Sequence, residues 1–221
     1  MVMGRKKEME QNRQEEITLK GNPRKPQGEE GRQMLSRMNE SHAFLTQWAL
    51  GFFDFQESDH VLDIGCGGGA ALARMASHIG SGHLTGIDYS KTSVEMSREL
   101  NAAALKSGKM DILEGSVEQL PFENGAFDKI VTVESFYFWP NPVENLREVR
   151  RVLKKGGVFL LAADIYQKEG LSKATLDNIS RYALLNPTPE EFQRMFAQAG
   201  FPETIVHTEQ GQDWICVEGR G

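Results

Sequence analysis

"VLDIGCGGG", residues 61–69, decides how the rest of the chain is read. Val61, Leu62 and Ile64 carry a short buried strand to its end, and four of the next five residues are glycine. Glycines at that point let the backbone turn tightly and approach a ligand closely. The turn opens into a helical pattern from about Ala70, whose first N–H groups face whatever the loop cradles. Gly65, Gly67 and Ala70 satisfy the G-x-G-x-x-G/A dinucleotide pattern, and Asp88 ends the next strand, where an acid holds ribose hydroxyls. On spacing alone, an NAD(P)-dependent oxidoreductase has to be considered.

Asp63 separates the readings. A carboxylate two positions before the first glycine repels a pyrophosphate, whereas it attracts a cofactor that carries an ammonium and a sulfonium. S-adenosyl-L-methionine carries both. Asp63 to Gly69 spell D-x-G-x-G-x-G, and the run resembles that of the class I S-adenosylmethionine-dependent methyltransferases, in their small-molecule branch.

The resemblance covers roughly residues 42–201. It includes "HLTGIDYS" at 83–90, "ILEGSVEQLPFENGAFDKIVTVES" at 112–135 and "NLREVRRVLKKGGVFLLA" at 145–162. It implies that Asp63, Gly65, Cys66 and Gly67 form the cofactor loop, that Asp88 takes both ribose hydroxyls, and that Tyr89 packs on the adenine. Ser116 and Val117 would border the adenine, and Glu134 would sit near the methionine moiety. Ser116 departs from the pattern, since the family commonly has an acid there; a serine hydroxyl accepts the same hydrogen bond without charge assistance. The product would be S-adenosyl-L-homocysteine. A non-catalytic protein that senses the cofactor is the further alternative, and it would have its acceptor pocket filled or absent.

Working outward, short apolar strands alternate with amphipathic helices from His60 onward. Strands read at "HVLDIG", "HLTGID", "MDILEG", "FDKIVTVE" and "GVFLLAAD", with helices from about Ala70, Lys91 and Pro142. Such alternation implies βαβ units and a parallel sheet buried on both faces. Ser90 marks one helix start and Asn141-Pro142 another. Thr188 with Glu191 forms a capping box, with Pro189 first inside and Gly200 as the stop. "ETIVHTEQ" and "DWICVEGR" close the chain as an antiparallel hairpin. The expected fold is a Rossmann-like α/β sheet of seven strands, mostly parallel, with helices on both faces. The methyltransferase domain is expected over 56–221. Residues 1–55 form an arm and helices capping the active site, and a lid-like insertion spans about 165–187.

"SFYFWPNP", residues 135–142, places four aromatic side chains in a row where strand four ends. That is the sheet edge at which open α/β folds bind ligands. Tyr137 and Trp139 are expected to line the acceptor pocket, with Phe136 and Phe138 divided between pocket and core; Tyr166 is a further pocket candidate. Methyl transfer consists largely of positioning the nucleophile in line with the breaking bond. A base is needed only if the acceptor must lose a proton. His42, Glu134 and Tyr137 are the candidates, because imidazole titrates near neutral pH and the other two stand at the pocket.

Composition narrows the partners. Residues 1–37 carry nine Lys/Arg against six Glu, leaving sixteen basic and twenty-five acidic residues in the remainder, a net of −9. So acidic a body argues against a nucleic-acid backbone, and a small-molecule acceptor is expected. The two cysteines, Cys66 and Cys216, are too few for a zinc site or a disulfide framework, and no metal is expected. A catechol-type metal site would need more acids than Glu134 and Asp164. No apolar run reaches the roughly 20 residues of a membrane span, and no signal-peptide core is visible at the N-terminus, so a cytoplasmic location without membrane contact is expected.

Overall fold

Seven strands lie in the order β3-β2-β1-β4-β5-β7-β6 in the computed structural model, which describes residues 13–221. They are β1 (His60–Ile64), β2 (His83–Asp88), β3 (Met110–Glu114), β4 (Phe127–Val133), β5 (Leu153–Ala163), β6 (Glu203–Thr208) and β7 (Ile215–Arg220). The first five pair in parallel, and β7 inserts antiparallel between β5 and β6. The closing hairpin and the seven-stranded sheet expected from the sequence are both present.

Successive strand residues feed opposite cores, as a two-residue period demands. Leu62, Ile130, Phe159 and Leu161 pack toward α7 (Pro142–Val152) and α9 (Pro189–Gln198). Val61, Val131, Leu160 and Ala162 pack toward α3 (Ala43–Leu50), α4 (Ala70–Met75) and α5 (Lys91–Leu100). Both faces are covered, which is why the central strands read as nearly unbroken apolar runs.

The helix signals resolve differently. Ser90 Oγ accepts the Ser93 N–H, and Thr188 and Glu191 form the reciprocal capping box. Asn141 does not cap α7 with its side chain; instead its own N–H donates to Asn145 Oδ1 at 3.1 Å, and the buried Asn145 holds the turn while Pro142 starts the helix. A short helix α6 (Ala102–Lys106) follows α5, and α8 (Lys173–Tyr182) lies within the 165–187 insertion.

Before the sheet, the chain is helical over residues 13–21, here α1, and again in α2 (Gly28–Ser41). This part of the chain was expected to comprise an arm followed by helices, and the described part of that arm is itself helical. Residues 13–21 are helical because Arg37 of α2 donates to the Gln14 and Thr18 side chains; the first twelve residues lie outside the described part. Among the described residues no helix is long and apolar enough to cross a membrane.

Candidate functional site

The strand order reverses between β1 and β4, the switch point where open α/β sheets bind ligands. A cavity of about 320 Å³ opens there, over the carboxyl ends of β1 to β4. The loop after β1 forms its floor. Gly65 has φ +72°, and a Cβ on it would strike the Ser135 side chain; Gly69 at φ +80° would meet Ser97 and Asn101. Gly65 and Cys66 donate their N–H groups to Ile87 O at 2.8 and 3.2 Å. Gly67 N–H donates to Asp88 Oδ2 at 2.9 Å, and Ser90 N–H to Asp88 Oδ1 at 2.8 Å. The helix that follows is only six residues long with Gly69 as its N-cap, so the loop's own backbone, more than a helix dipole, faces the cavity.

Asp63 lines this cavity at 1% exposure, and its Oδ2 has no hydrogen-bond partner among the described residues. Burial, with the Asp88 charge adding, pushes its carboxyl up to about 7. Asp88 is also raised by burial, against the opposing pull of its two N–H donors. A buried carboxylate oxygen without a partner is costly, and two carboxylates on one wall fit a cationic ligand and oppose a pyrophosphate.

Ser116 and Val117 line the far end with Glu118. The Glu118 N–H donates to Ser116 Oγ at 3.2 Å, and the Ser116 hydroxyl lies 3.3 Å from Glu118 Oε2. An acid therefore does stand at this end of the cavity, two residues beyond the position where the family pattern has one.

The aromatic run does not continue as a strand. Phe136–Phe138 form a turn of 3-10 helix, which sends the side chains to three destinations. Trp139 lines the cavity, with its Nε1 donating to Ser135 Oγ at 3.2 Å. Phe138 lines both this cavity and a second one of about 260 Å³ beside it. Phe136, expected in the pocket, is 2% exposed and packs on Trp139 and Phe192, so it belongs to the core. Tyr137 lines the second cavity only. Tyr166 lines neither; it packs against the core with Lys168 Nζ 5.2 Å from its ring centroid.

Glu134 forms the shared wall of the two cavities. It takes the left-handed conformation at φ +56°, a strained position for a non-glycine residue. Three contacts hold it: its N–H donates to Ala162 O at 2.9 Å, Oε1 accepts the Asp164 N–H at 2.5 Å, and Oε2 accepts the Tyr137 hydroxyl at 2.9 Å. His42 Nε2 lies 3.6 Å from Oε2. Burial drives the Glu134 carboxyl and the Tyr137 phenol well up and holds the His42 imidazole below its usual value.

Part of the expected N-terminal arm lies over the cavity, through contacts that no sequence signal singled out. Residues 22–27 cross its mouth as a strap. The Tyr89 hydroxyl donates to Arg24 O, the Ser90 hydroxyl donates to Pro26 O at 2.5 Å, and Arg24 Nη1 donates to Phe138 O at 3.3 Å. Lys25 Nζ sits 5.3 Å from the Tyr89 ring centroid. Leu35, Met38 and Asn39 of α2 add to the lining.

Comparison with known proteins follows the geometry. A methyltransferase domain family matches residues 62–161. The chloroplastic 2-methyl-6-phytyl-1,4-hydroquinone methyltransferase 1 of Oryza sativa subsp. japonica is 33% identical over 146 residues, which cover 66% of this chain and 42% of that protein. The chain thus spans about two fifths of the length of this curated relative. Two solved structures share the fold. One is a complex between the Haloferax volcanii Trm112 methyltransferase activator and a chain described with it as a methyltransferase (TM-score 0.72, 23% identity, 84% of this chain and 92% of that one). The other is Haemonchus contortus phosphoethanolamine N-methyltransferase 2, in complex with phosphomonomethylethanolamine and S-adenosylhomocysteine (TM-score 0.71, 14% identity, 85% and 58%). The glycine loop, the strand order and the domain match agree: residues 62–161 of this chain are similar to a methyltransferase domain family.

Proposed function

We propose that this chain transfers a methyl group from S-adenosyl-L-methionine to a small-molecule acceptor by in-line displacement. The observation that carries the reading is Asp63, a buried carboxylate with an unpartnered oxygen facing the glycine loop. A nicotinamide dinucleotide would bring its pyrophosphate against that charge; the ammonium of a methionine moiety neutralises it. When bound, the cofactor supplies an electrophilic methyl on a sulfonium.

The residues divide the remaining work. Asp63, Gly65, Cys66 and Gly67 hold the methionine end, Asp88 the ribose, and Tyr89, Ser116 and Val117 the adenine, with Glu118 supplying the charge that Ser116 lacks. Glu134 lines both cavities and so flanks donor and acceptor without separating them. Phe138, Trp139 and Tyr137 form the acceptor walls and exclude water, while Phe136 braces Trp139 from the core. His42, kept neutral by its burial, is the base where the acceptor has a proton to lose. Tyr166 takes part by packing at the root of the insertion.

Residues 13–55 cap the domain that begins at 56, through α2, α3 and the strap. The 165–187 segment is the lid: Gln167 N–H donates to Pro187 O at 3.0 Å, closing its base, and α8 between them buries none of its residues. Closure is of the kind that commits substrates in many enzymes. The open second cavity supports an enzyme over a sensor of the cofactor. Cys66 and Cys216, both free and buried, suit a reducing cytoplasm.

The test is transfer of label from methyl-tritiated S-adenosylmethionine into low-molecular-weight compounds of a cell extract. Labelled product that disappears with Asp88→Ala supports the reading. Absence of transfer together with oxidation of NADH by the protein overturns it.

A further inference from the structure

The second cavity reveals what kind of atom receives the methyl, given the reading of the first cavity as the donor site. Its walls are apolar at Met34, Met38, Phe138 and Leu184 and acidic at Glu134 and Asp164. The titratable or charged groups facing Asp164 across it are Glu134, Tyr137, Tyr182 and Arg37, with His42 behind Glu134. Arg37 is the one basic residue in this lining, and its guanidinium is engaged by Gln14 and Thr18.

We infer that this cavity binds an amine as the methyl acceptor, with the Asp164 carboxylate as counter-charge to the nitrogen.

The sign of the charge that develops separates the possible acceptors. An oxygen or sulfur acceptor attacks best as an anion, which the Asp164 carboxylate repels and which no free cation among the described residues of this lining supports. An amine attacks as the neutral base. Its lone pair forms the N–CH3 bond as the S–CH3 bond breaks, with that electron pair staying on sulfur as a thioether. The positive charge moves from sulfur to nitrogen, beside Asp164. Stabilisation therefore grows along the reaction, as catalysis requires. An amine that arrives protonated loses one proton to solvent before attack.

The same groups could be imagined around a divalent ion, since His42, Glu134 and Asp164 bring ligand atoms within 4.8 Å of one another. That arrangement would serve a hydroxyl acceptor, and the experiment separates the two. The full chain saturated with S-adenosylhomocysteine is titrated calorimetrically with phenethylamine, phenethyl alcohol and phenethyl thiol, which match in shape and differ in the acceptor atom. The expected result is amine binding at least about tenfold tighter than the other two, a loss of about tenfold or more in Asp164→Asn, recovery in Asp164→Glu, and unchanged S-adenosylhomocysteine affinity in both variants. With S-adenosylmethionine, N-methylphenethylamine forms, and faster at higher pH. Preference for the alcohol or thiol, no binding of the amine, an Asp164→Asn protein that behaves as wild type, or turnover abolished by EDTA each overturns the inference. Failure of S-adenosylhomocysteine itself to bind instead brings down the methyltransferase reading on which it rests.

Discussion

The Gly67 backbone N–H donates to Asp88 Oδ2 at 2.9 Å, joining the glycine loop after β1 to the acid that ends β2. That contact joins two walls of the proposed cofactor site, and the Ser90 N–H donates to the other Asp88 oxygen.

Asp88→Asn replaces one of those carboxylate oxygens with a donor that faces an N–H group. It should weaken S-adenosylhomocysteine binding by about 1.5–3 kcal/mol, the scale of a charge-assisted hydrogen bond. Isothermal titration of the variant, with circular dichroism to confirm the fold, checks this. An affinity equal to wild type would remove Asp88 from the site.

Asp63 trades stability for binding. Its carboxyl rises to about 7 in the folded chain from an ordinary value of 3.8. A raised folded value means that this group's contribution favours folding at low pH and is lost as pH climbs toward 7. Asp63→Asn should therefore raise the melting temperature of the ligand-free protein above pH 7, by about 1–3 kcal/mol in stability, and have little effect below pH 4, while cofactor affinity falls. Melting curves across pH for both proteins test this. A variant that is less stable at high pH would mean that Asp63 is satisfied by something other than a ligand.

Gly65→Ala meets two penalties, a left-handed backbone and contact with the Ser135 side chain. A loss of about 2–4 kcal/mol is expected. Urea unfolding measures it, and Ser135→Gly in the same chain should return the steric part only, leaving about 1–2 kcal/mol of backbone cost.

The strap across the mouth predicts a kinetic effect. Tyr89→Phe removes the hydroxyl that reaches Arg24 O while keeping the ring. Release of S-adenosylhomocysteine, followed by stopped-flow competition, should be several-fold faster with binding weakened by under about 1.5 kcal/mol. Unchanged release would show that the strap does not gate exit.

The sheet was legible in the sequence because each central strand is a dense apolar run ended by a turn signal, as in "VLDIGCGGG" and "HLTGIDYS". That Asp63, Asp88, Gly65 and Gly67 line one cavity was legible for the same reason, since each stands at or just after a strand end marked by its neighbours. The strap was not. Its contacts join Arg24 and Pro26 to Tyr89 and Ser90 through main-chain carbonyls, and a carbonyl is the same in every residue. The aromatic run misled in another way. A two-residue period would have divided four rings evenly between two faces, but the 3-10 turn buries Phe136 and leaves Phe138 at both cavities. Glu118 escaped notice because it reaches the cavity through Ser116, in a local turn outside the family pattern.

The most direct measurement is calorimetric titration of the protein with S-adenosylhomocysteine across pH 5.5 to 8, in buffers of differing ionisation enthalpy, with NADH in parallel. Folded Asp63 titrates near 7, and the ligand's ammonium favours its ionised form. The account predicts one site that tightens as pH rises toward 7, with a proton released on binding at pH 6, no such release in Asp63→Asn, and no heat from NADH. Affinity that does not change with pH and no proton release, or saturable binding of NADH, would contradict it.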